Sequence, residues 1–334
     1  MKHLLTLCCI GMLLTLSAQD IHFTQFYANP TLLNPSLAGH FPGNYRIAGI
    51  YRNQWSSITG GGVYSTPSLG ADFNFKRESQ RNSLGAGLTF YNDRQGGGDI
   101  ANTAIVLSGA YHIANKSETQ YFSIGLAAGY SAWQLNESDI TFFNQFDASG
   151  NPTQGNGENF MDTNQDYYDF RVGLTYAAYP DARRNYRFGI SAIQVFSPEL
   201  SFLGDSDSLD AEVPVRLVGH GELTFPLSDK TKIMPVLLVQ SQRAAFEANI
   251  GANLGYELND ELELIGGGAY RIGDAAALLV GVTYKGVQVN FSYDFNVSSL
   301  TPATNAAGGY ELSARYIGFF DRTAKLILPA LRFF

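Results

Sequence analysis

Charge is scarce in this sequence: Asp, Glu, Lys and Arg make up 16% of its 334 residues, against roughly 25% in ordinary soluble domains. Positive charge is the scarcer sign, with 22 Lys and Arg against 30 Asp and Glu. That balance argues against nucleic acid as a partner, because clustered cations are needed to displace counterions from phosphate. Cysteine is limited to Cys8 and Cys9, side by side near the start, which excludes a disulfide-stapled scaffold. Beyond Ala18 there is no run of eighteen apolar residues, so helical membrane spans are excluded. Catalytic signatures are missing as well. Neither Gly-x-Ser-x-Gly nor His-Glu-x-x-His occurs, and His22, His40, His112 and His220 lie far apart in the chain. An enzyme, a cofactor and a defined metal site are therefore not expected.

What the chain has is apolar and aromatic matter cut into short pieces, 45% hydrophobic and 13% aromatic, with 35 Gly, 23 Phe and 19 Tyr. Residues 1–18, MKHLLTLCCIGMLLTLSA, have a basic start, an apolar core from Leu4 to Leu16 and a small-residue exit at Ser17-Ala18. This is the pattern of a secretory signal peptide. The core is shorter than the ~20 residues a spanning helix needs, and the cysteines stand too early for a lipidation site.

Beyond the leader the dominant signal is alternation. Phe246, Ala248, Ile250, Ala252, Leu254 and Tyr256 interleave with Glu247, Asn249, Gly251, Asn253, Gly255 and Glu257. Successive side chains on a strand point to opposite faces, so one face is apolar and the other polar. Applied along the chain, the template gives fourteen strands near 44–53, 66–76, 83–92, 101–113, 120–132, 167–178, 185–196, 213–225, 231–242, 246–257, 261–271, 276–284, 286–296 and 309–320. Their length matches the ~9–11 residues of a tilted strand crossing a bilayer. Connections alternate between short ones and a set that includes the long 54–65, 133–166, 197–212 and 297–308. Short periplasmic turns and long extracellular loops are the asymmetry of an outer-membrane barrel. The expected fold is thus all-β: a closed transmembrane barrel of about fourteen antiparallel strands over 44–320, in the outer membrane, with the lipid bilayer as its first partner. A soluble sandwich or jelly roll also alternates, but it neither needs strands this long nor explains the loop asymmetry.

In such a barrel Arg171, Arg187, Arg216, His220, Glu222, Glu247, Asp294 and Arg315 fall on the face turned to the lumen, and Tyr168, Tyr176, Tyr186, Tyr256 and Tyr310 stand at strand ends as aromatic girdles. His220 and Glu222, two apart, share a face; without a nucleophile on that strand they read as a solvated lumen pair rather than a base and its orienter. The stretch Asp162-Thr-Asn164-Gln-Asp166 starts like a calcium loop, yet Tyr167 and Gly173 stand where Gly and Glu are required. The longest connection carries Phe142, Phe143, Phe146 and Phe160 amid Asn, Gly and Asp. Aromatics are ill suited to free solvent, so these rings are expected either to plug the lumen or to form a docking surface for a partner.

Residues 19–43 are expected to be an irregular segment, periplasmic or lumenal, because Pro30 and Pro35 each remove a donor and bias Asn29 and Asn34 away from helix. This stretch contains Gln25, Phe26, Asn29, Pro30, Asn34, Pro35 and Gly39; Arg52 and Trp55 follow, and Gly309, Tyr310 and Glu311 open the last strand. Together they resemble the PorP/SprF-like family of type IX secretion system outer-membrane proteins of Bacteroidota. The resemblance implies a component of the secretion and gliding apparatus that is not an enzyme. It also implies partners: a secreted adhesin-like cargo held through its C-terminal domain at the cell surface, and periplasmic secretion or motor components. A passive or hydrophobic-substrate channel is the alternative, since fourteen strands enclose a lumen of intermediate width. The tail, 321–334, ends in Phe333-Phe334 after Pro329, which resembles a barrel-insertion signal, as does the last strand itself.

Overall fold

The computed structural model describes residues 21–55, 64–76, 80–96, 100–136, 147, 163–202, 212–299 and 301–320. Fourteen strands form one closed antiparallel barrel, each paired with its neighbours in sequence and the first with the last. In chain order they are β1 (Tyr45–Gln54), β2 (Tyr64–Lys76), β3 (Ser83–Gln95), β4 (Ile100–Ala114), β5 (Gln120–Gln134), β6 (Asn164–Asp181) and β7 (Arg184–Ile193). The second half holds β8 (Arg216–Pro226), β9 (Thr231–Gln242), β10 (Ala245–Asn259), β11 (Leu262–Arg271), β12 (Ala275–Tyr284), β13 (Val287–Asn296) and β14 (Ala307–Gly318). Closure is made by ten consecutive partners from Tyr45–Gly318 to Gln54–Gly309. It leaves no edge, which hydrocarbon requires because an unpaired backbone group there costs several kcal/mol. Among the described residues no helix is long and apolar enough to cross a membrane.

Every strand falls on an expected segment, with ends displaced by at most three residues. β7 stops early, at Ile193, because Gln194 and Ser197 take positive φ, 59° and 43°, which no ladder accommodates. The outer wall is apolar, with Leu107, Leu126, Ile190, Leu278 and Val280 each more than 60% exposed; in this fold that exposure is to lipid. Both chain ends of the barrel, the start of β1 and the end of β14, lie with the tight connections 182–183, 227–230, 260–261 and 285–286, and this is the periplasmic end. The opposite end carries the long connections 135–163 and 194–215, but also two tight ones, 243–244 and 272–274.

The lumen is neither empty nor uniformly polar. Residues 21–43 lie inside it, folded into a 3-10 turn (Phe26–Ala28), a four-residue helical turn (Pro30–Leu33) and a second 3-10 turn (Pro35–Leu37). The wall facing them carries an apolar cluster in which Ile193, Val218, Met234, Val236, Leu238, Ile265 and Leu279 pack with Phe26, Tyr27 and Leu33. A polar lumen face was expected. The apolar patch is there because the lumen holds a folded segment at that height, and an apolar wall against an apolar segment buries area at about 25 cal/mol per Å².

Candidate functional site

The inserted segment is bound at successive heights along the barrel axis. Nearest the outer end, Arg52 (β1), Arg271 (β11), Asp294 (β13) and Glu311 (β14) form a buried group of two cations and two anions. Arg52 is paired with Glu311 and stands 3.2 Å from Asp294, while Arg271 reaches Asp294 at 3.0 Å. The segment completes the group. The backbone N–H of Thr24 and of Gln25 donate to the two Glu311 carboxylate oxygens at 2.7 and 2.8 Å, and the Thr24 hydroxyl donates to Asp294 at 2.9 Å. The Gln25 amide donates to Ser292 at 2.9 Å and accepts from Ser313 at 2.7 Å. Charges this deeply buried are sustained only when paired and hydrogen-bonded.

At mid-height Asn34 joins the segment to β6, β7 and β8. Its Nδ2 donates to the carbonyls of Leu174 and Ile190 at 3.2 and 3.1 Å and lies 3.2 Å from His220 Nε2, and its Oδ1 accepts from the N–H and hydroxyl of Ser36 at 3.0 and 2.6 Å. The wall makes room with glycine. A Cβ at Gly173 would stand 1.9 Å from Asn34 Oδ1, and one at Gly125 2.1 Å from the Ser36 nitrogen. On one flank Asn29 donates to Ser68 at 2.9 Å, and Thr31 shares a 2.8 Å hydroxyl contact with Thr89. On the other, Asn253 donates to the Tyr27 hydroxyl at 2.9 Å. Burial raises that phenol's pKa.

Toward the periplasm, Asp72 receives Arg46 at 2.9 and 2.7 Å and the Gly39 N–H at 2.7 Å. Gly39 turns the chain with φ +72°, so a glycine is required there. His112 contacts the Ala38 carbonyl at 2.9 Å, and His40 contacts the Tyr179 hydroxyl at 2.8 Å. Burial, with His112, Arg187 and Arg46 nearby, holds His40 well below the ordinary histidine range.

The expected residues thus divide. Gln25, Phe26, Asn29, Pro30, Asn34, Pro35, Gly39, Arg52 and Glu311 meet inside the lumen and are buried or make the contacts above. Trp55, Gly309 and Tyr310 do not join them. Trp55 packs edge-on against Tyr64 at 4.9 Å, Tyr310 lies 6.2 Å from Tyr51 near the outer ends of β1 and β14, and Gly309 is closed in by the Asn53 carbonyl, 2.6 Å from where a Cβ would be. Arg171, Arg187, Arg216, His220, Glu222, Glu247, Asp294 and Arg315 all point inward and are buried. His220 and Glu222 are not a solvated pair: Arg187 is the ion-pair partner of Glu222, and Asn34 occupies His220. Phe142, Phe143, Phe146 and Phe160 lie outside the described residues. Not singled out from sequence were Thr24 and Arg46, which lie within the stretches that carry the family resemblance, Asp72, His112 and Arg271, and the apolar lumen patch, which the unbroken run Met234-Pro-Val-Leu-Leu-Val239 could have signalled because both its faces are apolar. Among the described residues no group of three or more His, Cys, Asp or Glu could hold a metal.

These features define an outer-membrane β-barrel with its own chain folded into the lumen. Residues 15–316 match the family described as type IX secretion system membrane protein PorP/SprF, and the chain belongs to that family. It is therefore a component of type IX secretion, in a family of secretion membrane proteins. The chain matches none of the curated proteins compared with it. Similar solved structures include the CymD monoaromatic hydrocarbon channel (13% identity, TM-score 0.49, 86% of this chain and 91% of that one). A Pseudomonas aeruginosa FadL homologue is similar at 10% identity and TM-score 0.48, with 89% and 98% covered. The Pseudomonas putida toluene transporter TodX is similar at 14% and 0.46, with 90% and 93% covered.

Proposed function

We propose that this chain is a docking component of the type IX apparatus. It holds a secreted adhesin-like protein, through that protein's C-terminal domain, at the outer end of a filled barrel, and its periplasmic end meets secretion or motor components. The supporting observation is the inserted segment, bound from Thr24 beside Arg52 to His40 beside Tyr179. A lumen occupied over that height favours surface docking over passage of cargo or solute, and the long connections 135–163 and 194–215 are the natural holding elements.

Crosslinking in intact outer membranes, followed by purification of the tagged chain, tests this. Identified secreted and secretion-system proteins should co-purify, and the secreted one should be lost when residues 137–162 are replaced by a short Gly-Ser linker. Recovery of the folded barrel without any such protein would overturn the proposal.

A further inference from the structure

The inserted segment fills the lumen unevenly. Below Gln25 and Tyr27 it turns to one side: residues 28–41 hydrogen-bond to wall strands among β1–β8 and, among the described residues, to none of β9–β14. On the uncovered side, toward the periplasm, the inward-facing Thr283, Glu263 and Lys232 are half-buried rather than sealed. The connections that frame this side of the mouth, 260–261 and 285–286, are tight turns. Water therefore reaches the lumen wall here from the periplasm.

Arg315 of β14 stands on this side. It is 8% exposed, and its single side-chain partner among the described residues is the neutral carbonyl oxygen of Gln288, reached by Nη2. Its Nε and Nη1 make no hydrogen bond, yet neither is sealed in protein, so both face the space at the mouth. Other lumen guanidiniums are answered: Arg46, Arg52, Arg171, Arg187 and Arg271 each pair with a carboxylate. The charged side chains that act on Arg315 are Arg46, Glu222 and Arg187. Arg46 takes Asp72 and Arg187 takes Glu222, which leaves three cations against two carboxylates. Lys232 and Glu263 cancel each other at 2.7 Å. A buried cation without a counter-ion is costly, and a guanidinium's planar donors match the paired oxygens of an oxyanion.

We propose that Arg315 is the seat of an oxyanion that enters from the periplasm and is held by the donors Gln288 leaves free. The site is independent of the docking function proposed above. Two sources present this chemistry at the periplasmic mouth: free phosphate and the acidic side chain of a polypeptide.

Thermal unfolding of the full chain in detergent, read by heat-modifiable gel migration at an ionic strength held constant with sodium chloride, tests the site. The probes are inorganic phosphate and acetyl-glutamate amide. At least one should raise the wild-type midpoint saturably. Arg315→Gln should weaken the apparent Kd about tenfold or more. Without probe it should unfold no earlier than wild type, because it removes an unanswered buried charge. Lys285→Gln, at an exposed rim lysine already paired with Glu261 at 3.4 Å, should keep the full rise, which separates a site from a general salt effect. Should Arg315→Gln not fold, Arg315→Lys keeps the charge, loses the planar fork and should also weaken binding, by about threefold or more. A rise with phosphate alone assigns the site to a free anion, and a rise with acetyl-glutamate amide to an acidic side chain. No saturable rise with either probe, or a wild-type rise in a folded Arg315 variant, would overturn the proposal.

Discussion

Asn34 does more than any other side chain of the inserted segment. Leu174 and Ile190, whose carbonyls it reaches, are partners across the β6–β7 ladder, so one amide spans both strands while its oxygen shapes the Pro35–Leu37 turn. Replacing it with alanine strands buried donors and acceptors at 1–3 kcal/mol per group. Asn34→Ala should therefore lower unfolding free energy by about 2–4 kcal/mol, read as a shifted urea midpoint in detergent; a shift within error would deny the amide its role. Glycine acts here through absence of a side chain. Gly125→Leu should displace Pro35–Ser36 and destabilise, whereas at Gly109, where nothing stands within 4 Å of a Cβ, the same change should be nearly silent. His40 sets a pH dependence. Its folded pKa is depressed by burial and neighbouring positive groups, so the unfolded chain takes up the proton first as pH falls. The contribution is fully present above the unfolded value of about 6.5 and is lost below it, by up to ~1.4 kcal/mol per pH unit. His40→Gln should flatten that acid limb in unfolding measured between pH 7 and 5; an unchanged slope would count against it.

Among the elements, strands were legible in sequence because their physics is local. Period-two alternation, as in Val287, Val289, Phe291 and Phe295, fixes which face meets lipid, and each of these residues is exposed on the outer wall. The inserted segment was legible as irregular but not as to its place. Its position depends on partners such as Glu311 and Asp294, about 270–290 residues away in sequence, and no periodicity encodes such pairings. The lumen patch was only half legible: the run 234–239 shows that both faces of that strand are apolar, but not that the inner one meets a folded segment. A crosslink tests the placement directly. The Thr31 and Thr89 hydroxyls are 2.8 Å apart, close enough for cysteines there to meet disulfide geometry. Residues 21–320 contain no other cysteine, so Thr31→Cys with Thr89→Cys should oxidise in high yield and shift gel mobility under non-reducing conditions. A pair that stays reduced under oxidant would place the segment elsewhere.

For the whole molecule, the question is what the inserted segment contributes beyond packing. Closure belongs to the strands alone, since residues 21–43 supply no strand to the sheet. The wall's outer ion group also keeps its own pairs without the segment, Arg52 with Asp294 and Glu311 and Arg271 with Asp294 and Asp274, and Arg46 keeps Asp72. A barrel lacking residues 21–40 should thus still close, at lower stability, because these wall pairs remain while Glu247, Arg216 and the polar groups that faced the segment lose its contacts and turn to water. Fourteen strands without a filler enclose a lumen wider than the side-chain-filled eight-stranded case, and this one would be lined by Arg46, Arg187, Glu222, Asn249 and Asn253. Water and ions would enter it. In planar bilayers the wild-type chain should be nearly silent and the deletion should show steady steps roughly tenfold or more above it, with slow heat-modifiable migration confirming that both are folded. The two Thr→Cys changes in the full chain, oxidised, should keep the barrel as silent as wild type, which separates a seated segment from one that leaves on reconstitution. Wild-type conductance equal to that of the deletion would mean that the segment does not close the path, and the case for a filled docking barrel would give way to a channel.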